Sequence, residues 1–161
     1  MSNAIESVAD YLTKEGWEFR RSEVDGTIEM EVSAPAGRWL FIVRVGENER
    51  TVFFHSLCPL SVPLESRQRV AEFLMRVNRC VYIGGFVLDF DSGDICYETY
   101  MQSNEHVDPL GTDFPSVDLN LAMMNKYLAG IARMISSDVT PAEALTEVVT
   151  GVRADKKYVY N

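Results

Sequence analysis

Two histidines, His55 and His106, are all that this chain of 161 residues contains, so a metal centre or general base built from several imidazoles is out of reach. His55 falls within strand-like text and reads as a hydrogen-bonded strand residue. His106-Val107-Asp108 lies in a polar loop, with no third ligand at zinc spacing beside it. Cysteine is almost as sparse. Cys58, Cys80 and Cys96 are odd in number and form no CxxC pair, which argues against a disulfide framework and suits reduced, buried thiols. Neither Cys80 nor Cys96 has a histidine or lysine nearby in sequence to lower its pKa, so neither reads as a nucleophile. There is no GxSxG elbow and no GxxxxGK[ST] phosphate loop, and Gly84-Gly85 does not extend into GxGxxG. The expectation is a non-enzyme with no catalytic residue, no metal ligand and no cofactor.

Long apolar runs and a basic excess are missing too. The longest purely apolar run is Trp39 to Val43, far short of the roughly 20 residues that span a bilayer. The opening MSNAIESVADYLTKEGW has neither a basic n-region nor an unbroken apolar h-region, so a cytoplasmic location with no membrane partner is expected. Acidic residues number 24 against 15 basic ones, for a formal net charge of -9. That balance repels phosphate backbones, and nucleic acid is not the expected partner.

What is present is an ordinary globular composition, 47% hydrophobic and 24% charged. A chain of this length buries roughly 70% of the surface its unfolded form exposes, and no linker or repeat divides it, so residues 1–161 are expected to form a single domain. The spacing predicts a first helix from about Ala4 to Glu15, with Ile5, Val8, Ala9 and Leu12 inward and Gly16 as its stop. Trp17 to Ser22 and Thr27 to Ser33 read as strands around an Asp25-Gly26 turn, followed by strands at Arg38 to Val45 and Thr51 to Ser56. Every connection is too short for a parallel crossover, so this sheet is antiparallel.

The chain then leaves the sheet at Cys58 to Pro63. A helix from Pro63 or Leu64 to about Arg79 presents Val70, Phe73, Leu74 and Val77 at offsets 0, 3, 4 and 7. It feeds a hairpin of Val81 to Phe90 and Ile95 to Met101, in which Gly84-Gly85 marks a bulge or a close backbone approach. Asp89, Asp91 and Asp94 imitate the start of a calcium loop, but Asp94 stands where that loop needs glycine and Tyr100 where it needs glutamate, so they read as turn residues. Gln102 to Phe114 is loop text. Ser116 to Ile135 is the longest helical signal, its seam of Val117, Leu121, Met124, Leu128, Ile131 and Ile135 fitting either burial on the chain's own sheet or part of a dimer contact. Thr140-Pro141-Ala142-Glu143 starts a last helix ending near Gly151, before an exposed tail with Lys156 and Lys157.

The order helix, four strands, helix, two strands, two helices resembles the YbjN-like family, described as bacterial sensory transduction regulators with a fold related to type III secretion chaperones. The resemblance is carried by Arg67 to Asn78 as the central helix, Gly85-Phe86-Val87-Leu88-Asp89 as the next strand, Asp91 to Ile95 as its turn and Asp118 to Ile135 as the long helix. It implies an α+β fold, α-β-β-β-β-α-β-β-α-α, with an antiparallel sheet of about six strands and helices packed on it. It further implies a protein, often dimeric, that acts by protein contact, and it supplies no catalytic residues.

Strand alternation adds a surface to this expectation. If Ile28, Trp39, Val52, Phe86 and Tyr97 face the helices, then Leu40, Ile42, Phe53, Ile83, Val87 and Tyr100 share the opposite face with Glu29, Glu31, Arg38, Arg44, Asp89 and Glu98. An apolar centre inside a charged rim is the composition of a protein contact, a homodimer or another protein partner. The other reading has a C-terminal helix covering that face. The competing functional class is a small-molecule sensor with an apolar pocket between the sheet and the long helix, near Tyr97, Met123, Met124 and Tyr127.

Overall fold

The computed structural model describes residues 3–47, 50–102 and 115–152. His106, nearly all of the expected Gln102 to Phe114 loop, and Lys156 and Lys157 lie outside the described residues. The elements are α1 (Asn3–Lys14), β1 (Arg20–Arg21), β2 (Ile28–Ala34), β3 (Gly37–Val45), β4 (Thr51–Leu57), α2 (Arg67–Asn78), β5 (Gly85–Leu88), β6 (Ile95–Gln102), α3 (Pro115–Ser136) and α4 (Pro141–Val152). This is the expected α+β order. One 3-10 turn, Leu64–Ser66, leads into α2.

Local chemistry explains the ends of these elements. Gly16 and Trp17 close α1 by donating to Thr13 O and Leu12 O, the paired bonds that satisfy the last carbonyls of a helix. At α4, the Thr140 amide donates to Glu143 Oε2 at 3.0 Å and the Glu143 amide to Thr140 Oγ1 at 3.3 Å, a reciprocal capping box. Two expected strands are shorter than their sequence pattern. Trp17 belongs to the helix stop, which leaves only Arg20 and Arg21 to pair with β2. The second correction is the expected Val81 to Phe90 strand, which contracts to Gly85–Leu88 because the Cys80 and Val81 amides still donate back to Val77 O and Asn78 O at the end of α2.

The six strands form one antiparallel sheet in the order β1-β2-β3-β4-β6-β5. The chain leaves β4 for α2 and re-enters one place beyond the neighbouring position, so β6 pairs with β4 and β5 takes the edge. That edge is closed by Asn78, which accepts from the Phe86 amide at 2.7 Å and donates to Phe86 O at 3.0 Å. The side chain thus occupies the hydrogen-bonding groups that another strand would use.

All four helices contribute to one core cluster on one side of the sheet. Sheet residues Ile28, Met30, Phe41, Val43, Val52 and Phe54 meet Val8 and Leu12 of α1, Val70 and Phe73 of α2, and Met124 and Ile131 of α3. Each fully buried side chain of this size stabilises the fold by about 1.5–3 kcal/mol. The α3 seam is therefore consumed within the chain. Asn120 of α3 is also completely buried and donates to Phe54 O, Tyr97 O and Thr99 Oγ1, pinning the helix across the junction of β4 and β6.

Candidate functional site

The other side of the sheet carries no residue of that cluster: Leu40, Ile42, Phe53, Val87 and Tyr100 are all absent from it. Strand register arranges this open face in rows, because residues directly opposite on antiparallel strands point the same way. One row runs Glu29, Ile42, His55, Glu98. The next runs Glu31, Leu40, Leu57, Cys96, Val87, and a third runs Arg44, Phe53, Tyr100. The parity expected from the sequence holds in β5, where Phe86 is buried and Val87 is 51% exposed.

The expected contact residues differ in what they present. Tyr100 is 57% exposed and its ring lies 6.4 Å from that of Phe53, which in turn stacks at 6.2 Å on His55. Leu40 and Phe53 are half-buried. Ile42 is only 6% exposed although it lies outside the core cluster, so it supports the face from within. Ile83, expected in the strand, lies ahead of it instead: it is exposed, its carbonyl accepts from the Tyr97 hydroxyl at 2.6 Å, and Gly84 separates it from β5. Arg38 and Glu31 pair at 3.1 Å at the rim.

The centre of the face holds a cluster that sequence spacing did not reveal. His55 Nδ1 lies 3.6 Å from Glu98 Oε2, and a ligand atom from each of His55, Cys96 and Glu98 lies within 4.8 Å of the others. Burial lowers the pKa of His55, against the raising effect of Glu98 and with that of Arg44, so at neutral pH its contact with Glu98 is a polar contact rather than an ion pair. Burial, then the Glu98 charge, pushes the Cys96 thiol up to about 11, which makes it a poor free nucleophile. The sequence signals were Cys96-x-Glu98 on one strand and His55 on another. What was missing was the pairing of β4 with β6.

The acidic turn and the expected apolar pocket resolve differently. Asp89 accepts from the Asp91 and Ser92 amides, and Arg67 donates to Val62 O, Phe90 O and Asp91 O, so this turn is held by the protein itself. Tyr97, Met124 and Tyr127 are buried, and Phe86 makes edge contacts at 4.7 Å with the Tyr97 ring and 5.9 Å with that of Tyr127. These side chains fill the space between sheet and α3. An open cleft of about 830 Å³ instead lies between α1 and the β1–β2 turn, lined by Ile5, Arg21, Val24 and Val45 among others.

Fold and face together define a one-sided α+β protein in which, among the described residues, one face of the sheet is free of helices. Within that class the chain belongs to the YbjN family: residues 4–109, more than half of its length, match the family described as "Putative bacterial sensory transduction regulator". The fold is also similar to that in the "Crystal structure of YbjN, a putative transcription regulator from E. coli", with a TM-score of 0.51 and 10% sequence identity over 84% of this chain and 90% of that one. No curated protein matches the chain. Among the described residues no helix is long and apolar enough to cross a membrane.

Proposed function

We propose that this chain is a cytoplasmic, non-enzymatic regulator that works by protein contact through the open face of its sheet, and that the first occupant of that face is a second copy of the chain. The observation that carries this reading is a pair of exposed apolar groups on that face: Tyr100 is 57% exposed beside Phe53, and Val87 is 51% exposed in the row of Leu57 and Cys96, with the row of His55 and Glu98 between them. Around these apolar groups stand both signs of charge, Glu29, Glu31 and Glu98 against Arg38 and Arg44. A face that carries both signs of charge around apolar groups is the composition that a two-fold contact between identical copies needs, since each copy then offers the charges that the other requires. The net charge of -9 favours a protein over nucleic acid or an anionic membrane as partner.

Light scattering across a concentration series tests the dimer. The expected result is twice the chain mass of 18.2 kDa, falling towards the single-chain mass in Tyr100→Asp and Val87→Asp. Both side chains are exposed enough for a carboxylate to leave the fold intact. A concentration-independent mass near 18.2 kDa in the parent protein overturns the dimer, and a dimer untouched by both variants overturns this face.

A further inference from the structure

The geometry points to a new metal site: we propose that His55, Cys96 and Glu98 bind one Zn2+ on the open face of the sheet, leaving its fourth coordination position directed away from the core. His55 and Glu98 are register partners on adjacent strands, and Cys96 is two residues from Glu98 on the same face of β6. β4 and β6 are interior strands of the six-stranded sheet, so the three Cβ positions are set by backbone pairing rather than by a loop.

Distances and donor chemistry both suit zinc. Bond lengths of about 2.0–2.3 Å in a tetrahedral site put ligand atoms about 3.4–3.7 Å apart. The His55 to Glu98 separation of 3.6 Å already meets this, and the remaining separations, at most 4.8 Å, close by about 1 Å through side-chain rotation. One imidazole nitrogen, one thiolate and one carboxylate form a mixed set that favours a borderline-soft ion. Calcium and magnesium take all-oxygen shells, so they are poor competitors. Ile42 beside His55, and Leu57 and Val87 beside Cys96, give the cluster an apolar frame. This limits competition from water and strengthens the attraction between the cation and its anionic ligands. All three ligands come from one chain, so the site stands whether or not the face dimerises.

Cobalt(II) substitution supplies the test, because a Co–thiolate bond has its own near-ultraviolet charge-transfer band. Chelator-treated protein titrated with Co2+ is expected to bind one ion per chain, develop that band, and lose it when Zn2+ is added. Cys96→Ser is expected to abolish the band and weaken Zn2+ binding by about tenfold or more. Glu98→Gln is expected to weaken binding while keeping the band, and circular dichroism checks that both variants are folded. Absence of stoichiometric binding overturns the site. So does a thiolate band that survives Cys96→Ser, since the sulfur would then be that of Cys58 or Cys80.

Discussion

Asp89 places its carboxylate on the Ser92 and Asp91 amides at 3.1 and 2.7 Å, and these donors, with Arg67 nearby, hold its pKa below the ordinary carboxylate value. A carboxyl group depressed in the folded state stabilises the protein above its unfolded pKa, and that contribution is lost as pH falls through the folded value. Asp89→Ala is therefore expected to lower the urea midpoint at pH 7, with the gap from the parent narrowing below about pH 4. A gap that stays constant from neutral to acid pH contradicts this role. Asp89 was legible in the sequence as a turn residue because its acceptors and donors are all within a few positions of it. His55 was not legible as part of a cluster, because Cys96 and Glu98 reach it only through the pairing of distant strands.

Elements followed the sequence wherever their stabilising contacts are local. The helix expected from Pro63 or Leu64 to about Arg79 is present as a 3-10 turn over Leu64–Ser66 followed by α2 from Arg67 to Asn78, since its buried stripe of Val70, Phe73, Leu74 and Val77 lies within its own residues. β5 is shorter than its β-rich text because the chain must first pass Gly84. There φ is +74°, and a Cβ would stand 2.2 Å from Glu98 O and 2.6 Å from Thr99 Cγ2. Gly16 has a similar φ of +78° but nothing within 4 Å of its Cβ position. The two positions thus separate conformational strain from steric exclusion. Gly16→Ala is expected to cost about 1 kcal/mol from the backbone conformation alone. Gly84→Ala adds a clash with backbone that cannot rotate away, so a loss of at least about 2 kcal/mol is expected in urea unfolding. Equal losses at the two glycines would mean that β5 and β6 separate freely at that point.

For the whole molecule, the strand order decides which parts are protected. β4 and β6 are each paired on both sides and lie under α3, whereas β1 has two residues and β5 is a four-residue edge. Hydrogen exchange followed by mass spectrometry is expected to show the slowest amides in β4 and β6 and faster exchange in β1. Slow exchange confined to the β2–β3 hairpin would contradict this organisation.

Periodicity and turn chemistry in the sequence by itself determined the element order, the antiparallel sheet, the inward face of each strand and the absence of familiar catalytic motifs, because each depends on residues a few positions apart. Tertiary structure alone decided that β6 rather than β5 lies against β4, that the helices gather on one face, and that the other face stays open among the described residues. The reason is physical: the side-chain alternation of a strand specifies which way its residues point, and says nothing about which strand will be its neighbour. His55, Cys96 and Glu98 each had a readable direction in the sequence, and only the β4–β6 pairing gave them one another.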